Sequence, residues 1–202
     1  LAVNEKHGIW YNPMTGKYHE ATIGDKGIQL NLKSGESRIL ITSNKPVNEW
    51  KLGSKVKVNE KEAIAAADSK TIDLTANTWK LSFTEDAPKV DETFNLKGVK
   101  SWEGLSEKAK VMMGTGVYET TIKLSKDDAK KQWTIDLGDV RESARVYINN
   151  KYVGCAWAVP YILNCKDALN KGKNTLRIEV TNLPANRIAE LDRQGVKWRK
   201  MK

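Results

Sequence analysis

Cysteine and histidine are nearly absent from this 202-residue sequence, with two of each. A structural zinc site draws four ligands, mostly Cys and His, at tight spacings, and Cys155, Cys165, His7 and His19 form no such pattern. Cys155 and Cys165 stand ten residues apart without a CxxC pair, so a disulfide and two free thiols both remain open. No apolar run approaches the ~20 residues of a membrane helix, and "LAVNEKHGIW" has no basic segment leading into an apolar one. Also missing are G-x-S-x-G and H-E-x-x-H, and "GTG" at 114–116 lacks the Lys and Ser/Thr of a phosphate loop. That tripeptide reads as a turn before a strand at Val117.

What is present is a basic, soluble composition: 34 Lys and Arg against 25 Asp and Glu, for a net charge of +9. The cations are interleaved with acids, as in "KVKVNEKEA" and "LSKDDAKK", rather than gathered on one face, so the pattern points away from nucleic acid. Carboxylates are plentiful, but Glu119, Asp136 and Glu179 fall on the solvent-facing side of alternating strands, and no spacing singles out a catalytic pair.

Alternation with period two dominates the second half. Trp79, Leu81 and Phe83 share one face, as do Tyr118, Thr120, Ile122 and Leu124. Trp133, Ile135 and Leu137 form another such set, then Ala144, Val146 and Ile148, then Leu176, Ile178 and Val180. Each set predicts a strand with one buried side. Asn149–Asn150 sits between two runs and predicts a tight hairpin, because Asn tolerates positive φ. Short strands punctuated by turns predict an all-β sandwich. Helical signals are few: one turn after Ser125, one turn in "NCKDALNKG", and "NRIAELDRQG" with Asn186 as N-cap and Gly195 as stop.

The organisation follows. Residues 1–45 hold three or four β runs, too little to bury a core alone. Residues 46–70 are polar and Ala-rich, a linker with a helix at Glu60 to Ala67. Residues 71–202 form the main domain.

Trp is abundant, with seven copies. Trp79 and Trp133 lie on buried strand faces, whereas Trp102, Trp157 and Trp198 fall at strand ends or in irregular segments, where an indole can stack on a sugar ring. Tyr161, Asn182 and Arg187 lie in similar loop-forming segments. With Trp102 and Trp157 they make up the candidate carbohydrate-binding set.

The segments "VKSWEGLSEKAKVMMGTGVYETTIKL", "LGDVRESARVYINNKYVG", "AWAVPY" and "DALNKGKNTLRIEVTNLPANRI" carry a resemblance over about residues 78–190. In order and spacing they resemble the sugar-binding, galactose-binding-like jelly roll of glycoside hydrolase family 2. They look still more like the carboxy-terminal domain of family 106 α-L-rhamnosidases. That family usually has Asn-Gly at the hairpin where this chain has Asn149–Asn150. "GIWYNPMTGKYHEA" and "LNLKSGESRILI" look like strands that close a preceding β-domain.

The resemblance implies a jelly-roll β-sandwich preceded by a small β appendage, with catalysis belonging to a (β/α) barrel of the same polypeptide. It therefore implies a non-catalytic part of an exported enzyme of polysaccharide breakdown, periplasmic or extracellular, with polysaccharide or oligosaccharide as the other partner. No cofactor follows from it. Some relatives hold a structural Ca²⁺, for which no clustered Asp motif is present here. An autonomous carbohydrate-binding module and a protein-interaction domain unrelated to sugars are the alternatives.

Overall fold

The computed structural model describes residues 1–13, 17–30, 32, 35, 37–50 and 70–197. The expected helix at 60–67, most of the expected linker, and Trp198 lie outside these residues. The chain divides into two compact units, Leu1–Ile72 and Asp73–Lys202.

The first unit carries a three-stranded antiparallel sheet in the order β2-β1-β3, from His7–Asn12 (β1), Lys17–Glu20 (β2) and Ile39–Ser43 (β3). Its interior is small: among the described residues, Ile9, Tyr18 and Ile28 are the hydrophobic side chains buried there. The Ile28 amide donates to the Leu1 carbonyl at 2.9 Å.

The second unit is a β-sandwich. One layer is a six-stranded antiparallel sheet built from Thr78–Ala87 (β4), Phe94–Lys97 (β5), Met113–Leu124 (β6), Ser143–Ile148 (β8), Lys151–Ala156 (β9) and Gly172–Thr181 (β11). Their order is β5-β4-β6-β11-β8-β9. The facing layer contains the short pair Thr134–Asp136 (β7) and Ile162–Asn164 (β10). Registration through Leu81↔Tyr118↔Ile178↔Val146 sets one apolar row across four strands, and Leu176↔Ile148 sets the next. These rows face Trp133, Ile135, Leu137, Leu163, Cys165 and Ala168. Leu81, Ile148 and Leu176 are almost wholly buried, each contributing ~1.5–3 kcal/mol of hydrophobic stabilisation.

The β8–β9 hairpin turns at Asn149 and Asn150, with φ of 52° and 63°. Asn149 does more than turn the chain. Its amide donates to the Ala168 carbonyl at 2.9 Å and to Asn174 Oδ1 at 2.8 Å, while its own Oδ1 accepts from the Thr175 amide at 3.0 Å. Asn174 is 1% exposed and also bonds Asn170 N, Asn170 O and Gly172 O. A buried amide is tolerated when its donors and acceptors are matched, as they are here.

Three expectations need correction. "GTG" is no turn: β6 begins at Met113, and a Cβ on Gly116 would stand 2.4 Å from Trp102 Cζ2, so the glycine admits the indole against the strand. The last helix is capped at Pro184 rather than Asn186 and runs Ala185–Arg193, with Gly195 beyond its end at φ 68°. Glu179 does not face open solvent. Its side chain is 13% exposed because Arg177 and Arg145 close over its carboxylate at 2.8 and 3.5 Å. The two cysteines are free, Cys165 buried and Cys155 partly so.

Candidate functional site

The five residues of the sequence-based set occupy three places. Trp102 is part of the core edge. Its indole N–H donates to the Tyr118 hydroxyl at 2.7 Å, its ring meets Phe83 edge-on at 5.2 Å, and it lies over Gly116. A ring packed this way on strand backbone has a structural job, so Trp102 is withdrawn as a sugar-stacking residue. Burial pushes the Tyr118 hydroxyl above the usual phenol range, while the bond from Trp102 acts in the opposite direction.

Trp157 and Tyr161 lie in the β9–β10 connection. Trp157 is 58% exposed and Val159 55%. Tyr161 is half-buried, and its carbonyl accepts the Leu137 amide at 3.0 Å. The Ile162 amide donates to the Pro160 carbonyl at 2.8 Å, so a short turn presents the exposed indole from an anchored segment.

Arg187 lines a third place, a cleft between two helices, and Asn182 lies in the segment leading into the second of them. Ser106 starts the first, Glu107–Val111 (α1): its hydroxyl accepts the Ala109 amide at 3.2 Å and donates to Glu92 at 3.1 Å. Ala109 points inward and is buried, which leaves Lys108 and Lys110 exposed. The second helix, Ala185–Arg193 (α2), places Arg187, Glu190 and Gln194 at i, i+3 and i+7, on one face.

Asn182 joins the two. Its Oδ1 accepts the Gly114 amide at 2.9 Å and its Nδ2 donates to the Met112 carbonyl at 3.0 Å, while the Asn182 amide bonds Gly114 O at 3.2 Å. The residues just after α1 are thereby pinned to those just before α2. Both ends of the Asn182 side-chain amide are engaged in this link between the two helices.

The cleft is an open depression of about 300 Å³. Its lining includes Lys108, Lys110, Arg187 and Arg193 on the positive side, Glu107 and Glu190 on the negative, with Pro88 and Val111 as apolar surface. Glu190 is already engaged, by Arg193 at 2.8 Å and Gln194 at 2.6 Å. Among the described residues, Lys108, Lys110 and Arg187 have no ion-pair partner. The chemistry on offer is recognition of negative charge.

Sequence reasoning missed Lys108 and Lys110, because a five-residue helix has no periodicity to read. Among the described residues no group of three His, Cys, Asp or Glu could hold a metal ion.

Comparison with known proteins agrees with this architecture. Residues 104–202 match the family model described as glycosyl hydrolase 2 galactose-binding domain-like. A Formosa agariphila protein provisionally named a beta-glucuronidase is 30% identical over 172 residues, which is 81% of this chain and 15% of that protein. A rhamnosidase from Novosphingobium sp. PP1Y matches in fold with a TM-score of 0.69 at 23% identity, over 96% of this chain and 18% of its own. The chain thus spans less than a fifth of the length of either relative. The matched span includes α1, the strands from β6 to β11 and α2, and over it the chain is similar to glycosyl hydrolase 2 galactose-binding-like domains.

Proposed function

We propose that this chain is a non-catalytic accessory β-sandwich of a large exported glycoside hydrolase, packing on the catalytic barrel of the same polypeptide and bordering its glycan cleft. The observation that carries the proposal is the family match over the sandwich, in a chain that spans only 15% and 18% of the two relatives. The carboxylates of the sandwich support it. Glu119 pairs with Lys80, Glu179 with Arg145 and Arg177, Asp139 with Arg141, Asp128 with Lys131, and Glu190 with Arg193. These pairings serve the sheet, its turns and α2, whereas a glycosidase needs two carboxyl groups facing one bond. The coding sequence on either side of these residues is the first test. A (β/α)-barrel reading frame fused to it is expected, and a complete gene without one would overturn the proposal.

A second reading, an autonomous carbohydrate-binding module, is favoured by the exposure of Trp157 in the β9–β10 connection. Under it, Trp157→Ala abolishes retention on polysaccharide, and unchanged retention rejects it.

A further inference from the structure

We propose that the α1/α2 cleft binds an acidic saccharide, whose carboxylate or sulfate group is held by Lys108, Lys110 and Arg187. The saccharide identity rests on the accessory-domain reading, while the demand for an anion rests on the cleft itself.

Two independent features point to an anion. The first is charge. Four cations line the cleft against two carboxylates, and Glu190 is neutralised from within by Arg193 and Gln194. That leaves Lys108, Lys110 and Arg187 lining the cleft without ion-pair partners among the described residues. The second is the helix α2. Its first turn has no acidic residue and no side-chain cap, and Arg187 stands in that turn. A cation there opposes the helix dipole, which favours negative charge at an N-terminus. Lys108 and Lys110 have a local reason to be where they are, since they lie in the last turn of α1 and complement its dipole. Arg187 has no ion-pair partner among the described residues, and a bound anion supplies one.

The rest of the lining suits a sugar rather than a bare ion. Pro88 and Val111 offer apolar surface for the C–H face of a ring. The Gln194 amide and the Glu190 carboxylate offer a donor and an acceptor for hydroxyl groups. The volume of about 300 Å³ is at the small end for ligand pockets, suited to one acidic sugar whose neighbours extend into solvent. Walls fixed by Asn182 make the cleft preformed, which lowers the ordering cost of binding.

The test is isothermal titration of the 202-residue chain with three oligosaccharides of equal length: one bearing uronate carboxylates, one bearing sulfate esters, one neutral. Binding of at least one acidic ligand and weaker binding of the neutral one is expected, and the comparison of the two acidic arms identifies the anion. Arg187→Gln and Lys108→Gln should each weaken that binding about tenfold, as expected for loss of a charge-assisted contact. These side chains are not buried and have no partners among the described residues, so melting temperatures should hold. A control variant, Lys126→Gln/Lys151→Gln/Lys171→Gln, removes charge from exposed positions elsewhere. Equal weakening by the control would show attraction to a basic surface only and overturn the proposal. Absence of binding at millimolar ligand, or affinity indifferent to both cleft variants, would overturn it too. Neither result touches the accessory-domain reading, which fails instead on glycosidase turnover or on a gene without a barrel.

Discussion

Asn174→Ala should be among the most damaging single substitutions in the sandwich, although it removes only a small polar group. The wild-type amide makes four hydrogen bonds, to Asn149 Nδ2, Asn170 N, Asn170 O and Gly172 O, at 2.7–3.1 Å. Alanine removes all four bonds at a site 1% exposed, and each buried polar group left without a partner costs ~1–3 kcal/mol. The terms share atoms and some partners can relax, so they do not simply add. A total of about 3–4 kcal/mol is expected, or a fall of about 10 °C in melting temperature for a domain of this size. Urea unfolding followed by tryptophan fluorescence measures it, as a lower midpoint at unchanged slope. Asn149→Ala removes part of the same network, so the double variant should fall short of the sum by about 1 kcal/mol. A loss below ~1 kcal/mol for Asn174→Ala, or strict additivity with Asn149→Ala, would refute the view that these two amides lock the hairpin to the sheet.

Gly116→Ala should cost ~1–3 kcal/mol, because its Cβ would meet the Trp102 ring 2.4 Å away, and calorimetric melting checks it. Trp102→Phe keeps an aromatic ring beside Phe83 but loses the bond to Tyr118, so a smaller loss, ~1–2 kcal/mol, is expected on the same assay. Burial pushes the Cys165 thiol up to about 11 from an ordinary 9.0, so the unfolded state ionises first. Stability from this group is complete below pH 9 and lost as pH rises towards 11. Cys165→Ala should flatten that part of the stability–pH curve. At pH 8 a disulfide reagent should label Cys155 well before Cys165, and Cys155→Ser should remove the fast phase.

The strands were legible because one face of the six-stranded sheet is buried, which writes alternation into Trp79–Phe83, Tyr118–Leu124, Ala144–Ile148 and Leu176–Val180. Asn149–Asn150 was legible because positive φ restricts the choice of residue. What escaped depends on contacts between segments distant in sequence. Gly114-Thr115-Gly116 reads as a turn until Trp102 is seen lying over Gly116. Glu179 reads as exposed until register sets Arg145 opposite it on β8 and Arg177 closes over the carboxylate from β11 itself. Asn186 has the chemistry of a cap, yet Pro184 already sets the entry to α2. In the cleft, Arg187 could be singled out from its own helix, but Lys108 and Lys110 come from a helix too short to announce itself. Asn182 was picked out as a sugar contact, and in the structure its amide bonds Gly114 and Met112.

Hydrolysis assays on the purified 202-residue chain test the central claim most directly, using a panel of aryl glycosides that includes β-glucuronides and α-rhamnosides. No turnover above the uncatalysed rate is expected at any pH at which the chain remains folded. Turnover that vanished on a single carboxylate substitution, such as Glu107→Gln or Glu179→Gln, would contradict it and make the sandwich itself a catalyst.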